Sequence, residues 1–308
     1  MRALTTTKDG SVELTHVPEP DRTSSELLVQ VSASTASRGD LHSIRFSPPG
    51  RIVGLDVVGV VTEEAADGTG PAAGTRVMGY TSTRGGGWAE RAALDSSLVV
   101  PIPDTLSDEM AAALPNSGLA ALAGLEAGGF LLGARVLVTG ATGGVGRLAV
   151  QLAHLAGAHV TGLISSPERR EQLHTFDWLS TVTTDDETGG SFDLIVDLVG
   201  GEVLSRAMSL VAENGVVASL AQTAPETASV PFFWFAMHRG ARLVSVNNTD
   251  GQHEAGRGVQ RLELLAHLAE SGRLDPQVTG AASWEEAPRL LAALSRRELD
   301  GRMVVRIP

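Results

Sequence analysis

The chain of 308 residues contains no cysteine, which excludes disulfides, a thiolate nucleophile and any cysteine-ligated zinc or iron–sulfur centre. Basic residues are in deficit: 24 Lys and Arg stand against 36 Asp and Glu, a formal charge of −12. A balance of that sign does not neutralise a phosphate backbone, so nucleic-acid binding is not expected. Long apolar runs are missing too. None approaches the ~18 residues of a membrane span, and the first eight residues hold no signal-peptide core. A cytoplasmic location with no membrane partner is the expectation. Aromatics make up 4% of the chain, with Tyr80 the single tyrosine. Glycine runs the other way, at 35 of 308 residues, about 11% where ~7% is usual.

Residues 1–108 read as β-rich. Leu27-Leu28-Val29-Gln30-Val31 and Val57-Val58-Gly59-Val60-Val61 have strand composition, and Pro48-Pro49-Gly50 and Gly85-Gly86-Gly87 are among the turns that punctuate this half. Short strands with irregular turns predict an open barrel or a folded sheet. Ser107 is placed to cap a helix that enters the apolar run Met110 to Leu114. From Arg135 onward strand and helix patterns alternate. Strands are expected at Val136 to Val138, His159 to Ile164, Phe192 to Val199, Gly215 to Leu220 and Arg242 to Val246. Helices are expected at Gly144 to Ala156 and Val203 to Val211, with helix formers over Glu168 to Leu173. Such alternation builds an α/β fold, a doubly wound parallel sheet with helices on both faces. The tail reads as a helix, Trp284 to Leu294, and a strand, Met303 to Ile307, with no helix after it, suited to pair back into the β-rich half. The predicted domains are 1–108 completed by 275–308, and a nucleotide-binding domain over 109–274.

The sharpest feature is Val136-Leu137-Val138-Thr139-Gly140-Ala141-Thr142-Gly143-Gly144-Val145-Gly146, where an apolar strand meets four glycines in seven positions and leaves as an amphipathic helix. Glycines at such a turn let backbone N–H groups approach a pyrophosphate at the helix N-terminus, and Gly146 lets the helix pack closely on its strand. Taken alone the pattern also fits a purely structural turn; between strand and helix in a βαβ series it points to a dinucleotide. Gly140, Thr142, Gly143, Gly144, Val145 and Gly146 are the expected cofactor contacts, joined by Val199, Leu220 and Asn247 at the ends of later strands. A sheet that prefers NAD ends its second strand near an Asp or Glu for the ribose 2′-hydroxyl. Here the strand ends Leu163-Ile164-Ser165-Ser166, and Arg169 and Arg170 follow. Two hydroxyls and two guanidiniums suit a 2′-phosphate; the alternative is that the arginines are a solvated helix face. NADPH is the predicted cofactor.

With these pieces placed, the chain resembles the medium-chain dehydrogenase/reductase superfamily, and within it the zinc-independent quinone oxidoreductase and enoyl reductase group. The resemblance rests on Gly140-x-x-Gly143-x-x-Gly146, supported by Gly54-Leu55-Asp56-Val57-Val58-Gly59, Gly74-Thr75-Arg76-Val77-Met78-Gly79, Gly87-Trp88-Ala89-Glu90, Ala111-Ala112-Ala113-Leu114-Pro115 and Gly301-Arg302-Met303-Val304-Val305. It implies a GroES-like catalytic domain built from both termini, a Rossmann domain between them, and a homodimer formed through the nucleotide-binding domains. It also implies no metal: zinc-dependent relatives carry His-Glu where this chain has Leu55-Asp56, and the histidines here show no ligand-like pairing. Two positions depart from the group. Ser37 stands where an asparagine is common, and Ala120 where a threonine is. Asp40 fits the group's following acid, a structural acceptor.

Hydride delivery to the β-carbon of an enone or quinone leaves the protein to position the substrate, stabilise the developing enolate oxygen and supply a proton. Tyr80 and Ser37 are the candidate donors, with packing an equal explanation for Tyr80. Arg38, Asn247 and Asn248 are further polar candidates that solvent or a turn would also explain. The run Phe232-Phe233-Trp234-Phe235 reads as core, as a dimer contact, or as the wall of a pocket for a flat ligand. The expected function is an NADPH-dependent, metal-free reductase of a small-molecule quinone or α,β-unsaturated carbonyl, including a tailoring enoyl reductase of a polyketide-like substrate. Ser37 and Ala120 keep open an NADP(H)-binding protein without redox turnover, either structural or guiding a non-redox cyclisation.

Overall fold

The computed structural model describes residues 1–82, 85–173, 175–183, 190–220, 227–230, 232–247, 257–296, 298–299 and 302–308. They pack as two units, Met1–Leu119 with Thr249–Pro308, and Ala120–Asn248.

The first unit begins with an antiparallel pair, β1 (Arg2–Thr6) and β2 (Val12–His16). Its axis is β3 (Glu26–Ala36), which pairs antiparallel with β4 (Asp56–Glu63). β5 (Arg76–Tyr80), β6 (Arg91–Asp95) and β7 (Val99–Pro101) complete the front half, β6 on β3 and β7 on β5. β3 is buried along almost its whole length although five of its eleven residues are polar; its buried hydroxyls are satisfied, Ser34 donating to the Asp56 carbonyl at 2.6 Å and Thr35 to the Asp56 carboxylate. Leu27, Val29, Val31, Val57, Trp88, Leu94 and Trp284 form the core beneath it. Three helices follow from local signals. α1 (Arg38–Phe46) starts at the Ser37–Asp40 capping box. α2 (Asp108–Ala112) starts at Ser107, whose hydroxyl accepts from the Met110 N–H at 3.3 Å. α3 (Pro115–Glu126), which crosses the unit boundary at Leu119, opens on its proline, the position where a missing N–H costs nothing.

The second unit carries the expected alternation, with β10 and α6 added to the elements expected: β8 (Arg135–Thr139), α4 (Gly144–Leu155), β9 (His159–Ile164), β10 (Ser180–Thr183), β11 (Phe192–Asp197), α5 (Gly201–Met208), β12 (Val211–Ser219), α6 (Phe232–Met237) and β13 (Arg242–Ser245). The sheet order is β10-β9-β8-β11-β12-β13, every pairing parallel. The order reverses between β8 and β11. In doubly wound sheets a ligand binds outside the carboxyl ends of the strands at that reversal. The chain then adds α7 (Arg257–Glu270), β14 (Val278–Ser283), α8 (Ala287–Ser295) and β15 (Arg302–Arg306). β15 pairs antiparallel with β3, Val305 opposite Ser34, so the final strand does return to the front half.

Several elements differ from expectation. The helix placed at Val203 to Val211 stops at Met208, because Val211 is taken into the ladder opposite Phe192 and opens β12. The helix formers after β9 make a 3-10 turn, Pro167–Leu173. α7, read with the middle of the chain, packs against β7 and clusters with the first unit. Phe233 is 81% exposed, so at that position the aromatic run is not core; His174, Asn248, His253 and Gly301 lie outside the described residues. Among the described residues no helix is long and apolar enough to cross a membrane.

Candidate functional site

The glycine turn sits at the sheet's reversal, between the last residue of β8 and the first turn of α4. Gly140 adopts φ +62°, left-handed backbone that other residues enter at a cost, and a side chain there would meet Val199 Cγ2 at 3.1 Å. Gly143 donates its N–H to the Gly140 carbonyl at 2.9 Å and caps α4. Gly146 is the tightest point. A Cβ on it would strike the Gly140 carbonyl oxygen and lie 2.9 Å from Ala141 Cα, all backbone. Gly143, Gly144 and Val145 are half-exposed, whereas Ala141, Thr142 and Gly146 are buried. The result is an open rim of N–H groups that lack intrahelical partners, set on a base with no room for a side chain. That arrangement fits a dinucleotide pyrophosphate.

One residue at this site carried no signal in the sequence. Asp197, the last residue of β11, is completely buried and gathers the neighbouring strand ends. Its Oδ1 accepts from Thr139 Oγ1 at 2.9 Å, from the Val199 N–H at 3.3 Å and from the Gly200 N–H at 3.2 Å. Its Oδ2 accepts from Ser219 Oγ at 3.0 Å, and its carbonyl accepts from the Leu220 N–H at 2.8 Å. Thr139 in turn accepts from the Leu198 N–H at 2.9 Å. Three of the predicted contacts are thereby held together: Gly140 under Val199, and Val199 and Leu220 on Asp197. Asn247, half-buried, follows β13, where the Val246 N–H reaches the Ser219 carbonyl at 2.9 Å.

Beyond β9, Ser165 and Arg170 are exposed and Ser166 and Arg169 half-buried. The Ser166 hydroxyl donates to Glu168, which holds that exposed carboxyl below its ordinary range. Arg169 and Arg170 ride on the 3-10 turn.

Ser37 and Tyr80 belong to the first unit. The Ser37 hydroxyl and N–H both donate to Asp40 Oδ2, at 2.6 and 2.7 Å, so Asp40 is an acceptor as expected. Burial pushes the Asp40 carboxyl up to about 6, helped by the charge of Asp56 and opposed by the Ser37 hydroxyl and Arg302. Asp56 is itself buried and lies within a ring of donors. Arg302 donates to it at 2.8 Å, the Asn116 N–H at 2.7 Å, and the Thr35 hydroxyl completes the set. Burial nonetheless raises its carboxyl above the usual range, against the Arg302 guanidinium. Tyr80, opposite Asp56 in the β4–β5 ladder, is 2% exposed. Ala120 is buried and brings no hydroxyl. Among the described residues no group of three or more His, Asp or Glu side chains stands together to hold a metal ion.

Residues 144–261 match the zinc-binding dehydrogenase family, and residues 23–104 match the alcohol dehydrogenase GroES-like domain. The chloroplast envelope quinone oxidoreductase homolog of Arabidopsis thaliana is 34% identical over 231 residues, 68% of this chain and 70% of that protein. A 2-methylene-furan-3-one reductase of Solanum lycopersicum is 29% identical over 332 residues, covering 99% of this chain and 79% of that protein. The spectinabilin polyketide synthase system protein NorB of Streptomyces orinoci is 29% identical over 268 residues; the match takes in 84% of this chain but spans only 12% of that protein. Two solved structures share the fold over the full chain. A mycobacterial protein complexed with NADPH superposes with a TM-score of 0.87 at 21% identity, covering 100% of both chains. The quinone oxidoreductase from Coxiella burnetii gives 0.84 at 22%, covering 100% of this chain and 99% of that one.

Proposed function

We propose that this chain, which belongs to the medium-chain dehydrogenase/reductase superfamily, is an NADPH-dependent, zinc-independent reductase of a quinone or α,β-unsaturated carbonyl. The observation that carries the reading is the cradle at the sheet's reversal, where Gly146 leaves no space for a Cβ and Asp197 fixes the strand ends around it. Gly140, Thr142, Gly143, Gly144, Val145 and Gly146 would hold the pyrophosphate. Ser165, Ser166, Arg169 and Arg170 would receive the 2′-phosphate, with Val199, Leu220 and Asn247 along the rest of the cofactor. Bound there, a nicotinamide supplies hydride.

The first unit would bring the substrate chemistry, so catalysis is assigned to 1–108 with 275–308 and cofactor binding to the middle of the chain. Tyr80 and Ser37 are the proposed donors to the developing oxyanion. The Ser37 proton is committed to Asp40 Oδ2, so this hydroxyl turns outward as a donor only when Asp40 carries a proton of its own. Zinc has no role in this scheme, in keeping with a chain that has no cysteine and carries Leu55 and Asp56 in place of His-Glu. A cytoplasmic location and a homodimer complete the reading, the dimer supported by the exposed apolar side chains Phe233, Met237 and Leu243 in the second unit.

A second reading, NADP(H) binding without redox turnover, draws on the same Ser37–Asp40 bond and on Ala120, which together leave fewer free donors than the quinone reductase pattern. Following NADPH absorbance with a panel of quinones and enones separates the two. The reductase reading expects oxidation with at least one acceptor. Tight NADPH binding with no oxidation on any acceptor would sink it and leave the second.

A further inference from the structure

We infer that Arg147 is a positioning residue that ties the pyrophosphate turn to the 2′-phosphate loop, so that preference for NADPH over NADH runs through a side chain touching neither. This rests on the NADPH reading above. Arg147 lies in the first turns of α4 and is 4% exposed. Its Nε donates to the carbonyl of Thr142, inside the glycine turn, at 2.8 Å. The other end of the guanidinium reaches Gln172, donating to its carbonyl and to its Oε1, both at 3.3 Å. Gln172 stands on the 3-10 turn that carries Arg169 and Arg170. One side chain therefore spans from the turn to the loop, 25 residues further along the chain.

The brace is itself fixed. The Arg147 N–H donates to the Gly143 carbonyl at 2.9 Å, and its carbonyl accepts from Gln151 Nε2 at 2.8 Å, Gln151 also being buried. Leu148, Val150 and Leu152 supply apolar packing on the same helix, so filling space does not require a guanidinium here. A planar fork that stays charged at any working pH holds two separate carbonyls in one geometry, which an ammonium or an aliphatic chain does not. The two cofactors differ only at the ribose 2′ position. Both use the turn, and only NADPH uses the position of the loop relative to it.

The test is equilibrium binding of NADPH, NADH, 2′,5′-ADP and 5′-AMP to the full chain and to Arg147→Met and Arg147→Lys. With Arg147→Met, Kd for NADPH and 2′,5′-ADP should rise about tenfold, the size of one lost hydrogen bond to a charged group, while NADH and 5′-AMP change by less than about threefold. Arg147→Lys should fall between. Equal weakening of both cofactors, or an unchanged ratio, overturns the inference and leaves Arg147 a local brace of the turn. A wild-type chain that binds NADPH and NADH equally overturns the cofactor reading itself, and is told apart from the other failure because it needs no variant. If Arg147→Met does not fold, Gln172→Ala removes only the Oε1 contact. It must then shift the same ratio in the same direction, and a ratio equal to wild type overturns the inference.

Discussion

Replacing Asp40 with Asn should remove a pH dependence that the wild-type fold carries. Asp40 is 3% exposed, and its carboxyl is raised from 3.8 to about 6, first by burial. At ~1.36 kcal/mol for each pH unit, the difference between 3.8 and about 6 amounts to about 3 kcal/mol. The sign follows from proton linkage. The folded state holds this proton more tightly than the unfolded chain, so the contribution is fully present below 3.8 and is lost as pH rises through about 6. An Asn keeps the shape and an oxygen for the Ser37 N–H, but never has to ionise in a dry site. It also relieves Asp56 of a like-charged neighbour, which acts in the same direction. Urea unfolding of both proteins across this range gives the difference in stability, variant minus wild type. That difference should grow by about 3 kcal/mol over the window and level off above it. A difference that stays constant with pH would show that Asp40 ionises as readily folded as unfolded, and would refute the argument from burial.

Gly146→Ala should lower stability by ~1–3 kcal/mol, since the new methyl meets only backbone, and should weaken NADPH binding further than the melting temperature predicts; a variant that binds normally would show that the turn tolerates a side chain. Asp197→Ala strips the acceptor from two hydroxyls and two N–H groups at the strand ends. It should cost ~2–5 kcal/mol in thermal or urea unfolding, and a loss below ~1 kcal/mol would mean water replaces the carboxylate at no penalty.

What was legible in the sequence was what local chemistry decides. The turn after Val138 announced itself because its glycines, its strand and its helix are contiguous, and Ser107 announced α2 for the same reason. Alternation alone announced a parallel sheet, but not its order, which the pairings of β8 with both β9 and β11 set. Of the three readings left open for the aromatic run, exposure removes the core at Phe233, because an apolar residue type predicts burial only if another surface covers it, and a helix as short as α6 cannot turn every side chain inward. Asp197 was invisible for a different reason. Its hydroxyl partners lie 58 and 22 residues away, so nothing near it in the chain marks it as more than one acid closing an apolar strand. Arg302 meets Asp56 across 246 residues, a pairing that only the return of β15 to β3 creates.

Those two acids perform the same work in different units. Asp197 draws together the ends of β8, β11 and β12, and Asp56 draws together β3, β4, β15 and the start of α3. In each case a carboxylate removed from water must be satisfied by several donors at once, and those donors come from elements distant in sequence. Satisfying the acid therefore fixes the elements. In the second unit this sets the rim on which a pyrophosphate would rest. In the first it places Asp40, and through it Ser37, beside an ion pair whose charges bear directly on when Asp40 ionises. The departure at Ser37 is then more than a missing amide. An asparagine would offer a donor at any pH, whereas the Ser37 hydroxyl, bonded to Asp40 Oδ2, would have to leave that acid to serve in the donor role proposed above, so the substitution would tie such a donor to a buried neighbour.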